Sequence, residues 1–120
     1  MMEFSDNKPI FKQIIDYAYG CIVSGAWEPG SRVPSVRELT VTLGVNARTG
    51  MKAFDELQAS GIMEPRRGMG YTLHPEARIM ATEARRAEFF SDRLPALIED
   101  MKTLDIPVEE LVERLRKAGL

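Results

Sequence analysis

Ser35-Val36-Arg37-Glu38-Leu39-Thr40-Val41-Thr42-Leu43-Gly44-Val45-Asn46-Ala47-Arg48-Thr49 contains two helix starts with a helix stop between them. Ser35 and Glu38 form a capping-box pattern: the hydroxyl takes an orphan N–H of the first turn and the carboxylate reaches back. Val36, Leu39 and Leu43 fall on one face of a short helix over 35–43, and Gly44 ends it. Asn46 caps a further helix over 47–60, with Ala53, Phe54 and Leu57 inward and Gly61 as its stop. Two short helices joined by the tight turn Leu43-Gly44-Val45-Asn46 are a helix-turn-helix signature.

Upstream, Ile10, Ile14, Tyr17, Ala18 and Cys21 recur at helical spacing, so 9–24 reads as a helix. Asp6 or Asn7 can cap it, Pro9 suits its first turn and Gly25 its stop. The connector 26–34 carries turn chemistry at Glu28-Pro29-Gly30-Ser31, and Val33 can pair with a later strand. Downstream, Ile62-Met63-Glu64-Pro65 and Gly70-Tyr71-Thr72-Leu73 read as two short strands around the basic, glycine-rich tip Arg66-Arg67-Gly68-Met69-Gly70. A hairpin after a helix-turn-helix is a wing.

Met80, Ala84, Ala87, Phe90, Leu94, Leu97, Met101 and Leu104 recur at near-heptad spacing, predicting a long helical stretch over 79–104. Pro95 should kink or break it near Leu94. Asp105-Ile106-Pro107 reads as a turn, and Val108, Leu111, Val112 and Leu115 line one face of a last helix over 108–118.

Composition narrows the function. The chain has 120 residues, one cysteine (Cys21) and one histidine (His74). One cysteine excludes an intrachain disulfide, and with one histidine excludes a His/Cys-built zinc site. No paired carboxylates or nucleophile lie in a recognisable catalytic motif, so no catalytic residue, metal or cofactor is expected. No apolar run approaches the ~18 residues of a membrane span, and the start of the chain lacks a signal-peptide core. A cytoplasmic protein is expected. The formal net charge is −2, which taken whole argues mildly against nucleic acid. It is unevenly spread: residues 32–67 carry 6 basic and 4 acidic side chains, and residues 79–120 carry 7 and 9. Binding responds to the local field.

Residues 9–73 resemble the winged helix-turn-helix domain of the GntR family of bacterial transcription regulators. The resemblance rests on Pro9-Ile10-Phe11-Lys12-Gln13-Ile14, Ile22-Val23-Ser24-Gly25, Pro29-Gly30-Ser31-Arg32-Val33-Pro34-Ser35-Val36-Arg37-Glu38-Leu39, Leu43-Gly44-Val45-Asn46, Ala53-Phe54-Asp55-Glu56-Leu57 and the wing from Gly61 to Tyr71. The short helical tail resembles the YtrA-type subfamily. That resemblance implies a pair of dimerising C-terminal helices, no large effector domain and a tendency to regulate genes for ABC-type transporters. The expected fold is mostly α with a small β-hairpin wing: residues 1–76 a winged helix-turn-helix domain, residues 77–120 a two-helix dimerisation element.

The residues suit DNA chemistry by themselves. Arg48 can reach guanine O6/N7, Ala47 a thymine methyl, and Thr49 a base or a phosphate, with Asn46 at the same helix start. Lys52 lies one turn beyond Arg48 and suits a phosphate. Ser35 and Arg37 open a helix whose N–H groups attract phosphate. Arg66, Arg67 and Gly68 form a thin basic tip for a minor groove. The plainer readings are a solvated Arg37, a Ser35 that only caps, and wing charges that protect a sheet edge. His74 reads as a surface loop residue, Cys21 as a small buried hydrophobe and Trp27 as a plug at the core edge.

Two positions depart from the family pattern. Ala47 stands where Pro or Arg is common. Gly50 stands where an apolar residue, often Val, follows the Thr. A helix-interior glycine costs about 0.5–1 kcal/mol relative to Ala, so the helix is expected to be loosened, with Met51 shifting to fill the gap.

A helix over 79–104 is ~37 Å long, more than a small winged domain covers. Phe89 and Ile98 widen its apolar surface. A second copy would bury Ala87, Phe90, Leu94, Leu97, Met101 and Leu104, giving a two-fold homodimer. The function expected is sequence-specific binding of a pseudo-palindromic operator in double-stranded DNA, as a repressor. An effector, if one exists, would lie between domains or at the dimer interface. The competing reading is a winged-helix protein-interaction module or dimeric adaptor that binds no DNA.

Overall fold

The computed structural model describes Phe4 and residues 8–120. The expected caps Asp6 and Asn7 lie outside the described residues. Helix α1 runs Ile10–Ser24, α2 Val36–Leu43 and α3 Ala47–Ala59. Strands β1 (Met63–Arg66) and β2 (Gly70–Leu73) come next, then α4 (Ala77–Glu88), a π-helical turn Phe89–Arg93, α5 (Leu94–Thr103) and α6 (Val108–Lys117). The architecture is mostly helical with one antiparallel hairpin.

The first compact unit runs to Ala84. Its core takes Ile14, Ala18 and Ile22 from α1, Leu39 and Leu43 from α2, and Ala53, Phe54 and Leu57 from α3. These belong to the apolar faces expected from the helical spacing, although Ile10 at the start of the expected α1 face is exposed and Tyr17, Cys21 and Val36 are only partly buried. Complete burial of each large side chain contributes about 1.5–3 kcal/mol. Trp27 closes the edge of this core, its ring edge-on to Tyr17 with centroids 6.4 Å apart. Cys21 is half-buried beside it. Burial raises its thiol pKa, and a hydrogen bond with Tyr17 partly opposes that rise.

The helix ends obey local chemistry. Gly25 and Gly44 take left-handed φ values of 85° and 69°. After α2, Val45 N–H donates to Thr40 O (3.0 Å) and Gly44 N–H to Val41 O (3.3 Å), closing the turn between the helices. The hairpin pairs Met63 with Leu73 and Arg66 with Gly70. The connector adds to it: Val33 N–H donates to Tyr71 O (3.0 Å), Leu73 N–H to Ser31 O (3.2 Å), and Arg32 bridges Thr72. Val33 thus pairs with a later strand, as its sequence suggests. His74 succeeds β2, and its Nδ1 accepts the Glu76 N–H (2.9 Å) at the approach to α4.

The pattern of the wing ends near residue 76, but packing carries the first unit on to Ala84 because Ala77 and Ala81 are both fully buried in its core. Their small side chains lie one turn apart on one face of α4.

The second unit, Arg85–Leu120, comprises the end of α4, the π-helical turn, α5 and α6. The expected single stretch over 79–104 is interrupted. Leu94 N–H donates to Phe89 O, five residues back. Pro95 supplies the cause: it has no N–H, and its ring would collide with the Ser91 carbonyl in a regular helix. The wide turn relieves that collision. One extra residue per turn rotates α5 by about 100° about the helix axis, so the Leu94–Leu104 stripe does not simply continue the Ala87–Phe90 stripe. After α5, Ile106 N–H donates to Met101 O (2.9 Å) and Asp105 adopts φ 51°. A recess of about 490 Å³ at this turn is lined by Ile98, Met101, Ile106 and Val108 among others.

Candidate nucleic-acid interface

Helix α3 begins on Asn46, whose Oδ1 accepts the Arg48 N–H at 2.8 Å. That bond holds the first turn of α3 and leaves the amide NH₂ of Asn46 without a protein acceptor among the described residues. Ala47 and Arg48 are exposed and Thr49 is half-buried. Arg48, Thr49 and Lys52 border one recess of about 360 Å³ with Ile10 and Phe11 of α1. Three of the expected residues therefore meet on one surface. Lys52 Nζ stands 4.0 Å above the Phe11 ring centroid, a partner 41 positions away in sequence. Local spacing carries no signal for such a pair.

Gly50 faces inward and is buried. A Cβ there would overlap the Cγ2 methyl of Thr40 and lie 3.5 Å from Val36 Cγ1. The expected gap is therefore filled by α2, not by Met51, which is 45% exposed. The absent side chain lets α2 and α3 approach closely, so Gly50 does not loosen the packing.

Helix α2 begins in a complete capping box: Glu38 N–H donates to Ser35 Oγ (3.1 Å) and Ser35 N–H to Glu38 Oε1 (3.3 Å). Arg32 adds a 2.9 Å ion pair to the same carboxylate oxygen. The Ser35 backbone hydrogen bond first, and the Arg32 hydrogen bond next, hold the Glu38 carboxyl below its ordinary pKa. Arg32 ties the connector to the start of α2, a role its sequence position did not disclose. Arg37 is exposed beside this network.

On the wing, Met69 N–H donates to Arg66 O (2.9 Å), and Gly68 and Gly70 take φ 78° and 73°. Such values suit glycine, and they keep the tip thin. Arg66 is engaged with Glu64 at 2.8 Å, both side chains more than half exposed. The two wing arginines therefore differ. Among the described residues, Arg37, Arg48 and Arg67 form no side-chain hydrogen bond or ion pair. They present unneutralised guanidinium groups from α2, α3 and the wing tip.

No cluster of metal-ligating side chains occurs among the described residues, and no helix there is long and apolar enough to cross a membrane.

Residues 12–73 match the family model described as "Bacterial regulatory proteins, gntR family". Over 114 residues the chain is 31% identical to the HTH-type transcriptional regulator YhcF of Bacillus subtilis, covering 95% of this chain and 93% of that one. It is 32% identical over 111 residues to the HTH-type transcriptional repressor YtrA of the same organism, covering 92% and 85%. Among solved structures, a GntR family transcriptional regulator from Listeria monocytogenes superposes with a TM-score of 0.74 at 34% identity, covering 95% of this chain and 98% of that one. By this match and these relatives the chain belongs to the GntR family of bacterial regulatory proteins, as a YtrA-like, non-enzymatic DNA-binding transcription regulator.

Proposed function

We propose that the protein is a cytoplasmic homodimeric repressor that occupies a pseudo-palindromic operator. The observation that carries this reading is the start of α3, where Arg48 shares a surface with Thr49 and Lys52 and follows the exposed Ala47. Arg48 there has no protein partner among the described residues. In the major groove this turn would read base edges through Arg48 and Ala47. Asn46, Thr49 and Lys52 would complete the contacts. Arg37 and the capped α2 terminus at Ser35 would hold phosphate, and Arg67 and Gly68 would enter the adjoining minor groove. Arg66 would join them on release from Glu64.

Residues 77–120 serve as the dimerisation element in this reading. Phe90 (54%), Leu97 (38%) and Leu104 (66%) leave large apolar surfaces in solvent, with Ala87, Leu94 and Met101 beside them in the sequence. A second copy would cover them, and on a pseudo-palindromic operator the two α3 helices would enter successive major grooves about 34–36 Å apart. Repression by occupying a promoter accords with the repressor named among the relatives.

Titrating duplex DNA across a salt series tests the reading. Log affinity should fall against log salt with a slope of about −0.9 for each phosphate neutralised. No binding of duplex even at ~50 mM salt would instead favour a protein-interaction module.

A further inference from the structure

The contact between Lys52 of α3 and Phe11 of α1 has no counterpart in the sequence pattern. The ammonium lies 4.0 Å from the ring centroid, well inside the ~6 Å reach of a cation–π interaction. Lys12 also approaches this ring, but at 5.9 Å it stands at the limit. Phe11 is half-buried and packed against the core, so the ring is a fixed platform. Lys52 is exposed and forms no ion pair among the described residues. A ring face orients an ammonium without neutralising it, whereas a carboxylate would cancel the charge that a phosphate needs. A free lysine chain samples many rotamers, and holding one beforehand removes part of the entropy lost on binding.

We propose that Phe11 is a positioning residue: it holds Lys52 over α3 so that the ammonium is already placed for a DNA phosphate. Phe11 acts through Lys52 and need not touch DNA. The inference rests on the DNA-binding reading above and deepens it.

The test uses the full chain and duplex DNA of mixed sequence, because a phosphate contact carries no sequence information. Phe11→Leu should weaken binding by about 2- to 5-fold, the range corresponding to an exposed cation–π contact. Phe11→Tyr, which keeps the ring, should restore it. In a Lys52→Ala background, Phe11→Leu should cost nothing further. In the free protein, the Lys52 Hε protons should show an upfield ring-current shift that Phe11→Leu abolishes and Phe11→Tyr retains.

Full additivity of the two substitutions would overturn the proposal, as would an unshifted Lys52 or a Phe11→Tyr variant as weak as Phe11→Leu. If the unmutated chain binds no duplex at all, the DNA-binding reading fails and the positioning role falls with it. If the chain binds and Lys52→Ala weakens it while Phe11→Leu does not, only the positioning role fails.

Discussion

The Cγ2 methyl of Thr40 occupies the space that a side chain on Gly50 would need. Thr40 is buried in α2, and its hydroxyl donates to Arg37 O at 2.9 Å, which aims the methyl at α3. In an open helix Gly50→Ala would add stability of about 1 kcal/mol. Here it should remove about 1–3 kcal/mol, the usual cost of overpacking. Thr40→Ser keeps the hydroxyl and removes the methyl, so the double variant should recover most of the loss. A urea-denaturation double-mutant cycle checks this; a stabilised single variant would refute the close packing.

The unpaired arginines should separate by role. Arg48→Ala should change preference at one base pair by about 1–3 kcal/mol. Arg37→Ala and Arg67→Ala should weaken binding to all sequences and flatten the salt slope by about 0.9 each. Affinities over a base-substitution series, repeated at several salt concentrations, distinguish these outcomes. An unchanged preference for Arg48→Ala would remove it from base readout.

Glu38 links stability to pH. Its pKa in the folded chain lies below the ordinary value of 4.5 because Ser35 and Arg32 hydrogen bond to the carboxylate. The folded state therefore gains from an ionised Glu38. That contribution is complete above the unfolded pKa and is lost as pH falls through the folded one. Glu38→Gln should flatten the stability profile in that acidic window and leave its shape at neutral pH unchanged. Chemical denaturation at a series of pH values measures it, and parallel profiles for both proteins would exclude the link.

Asp105 adopts φ 51° at the end of α5, a left-handed conformation that costs a side-chain-bearing residue about 1–2 kcal/mol. Glycine would avoid that cost but lose more entropy on folding. Asp105→Gly should thus raise stability by up to about 1 kcal/mol, visible as a higher Tm at fixed protein concentration. A lowered Tm would show that the aspartate side chain contributes something glycine lacks.

The proposed dimer surface makes a direct demand. Leu97 is 38% exposed on α5, and Leu97→Glu would place a charge where the second copy should pack. The variant should elute as a monomer in sizing with light scattering and bind operator half-sites without cooperation. A persistent dimer would point to another surface.

The sequence by itself determined the elements and the family. Caps such as Ser35 with Glu38, the glycine stops at Gly25 and Gly44, and the apolar faces of α1 to α3 are local or periodic features. They act over one or two turns, so they can be read along the chain. The basic residues at the start of α3 and on the wing were legible for the same reason. What the tertiary structure alone decided is which side chains meet, whether 41 positions apart like Phe11 and Lys52 or two like Glu64 and Arg66. Thr40 fills the space at Gly50 and reverses the expected effect of that glycine. Phe11 carries Lys52, Arg32 braces Glu38, and Glu64 engages Arg66 so that Arg67 is the wing arginine left unpaired. Pro95 announced a break, but only the hydrogen bond from Leu94 to Phe89 showed it to be a widened turn. Side-chain packing between elements depends on where the folded backbone brings them, and no spacing rule encodes that distance.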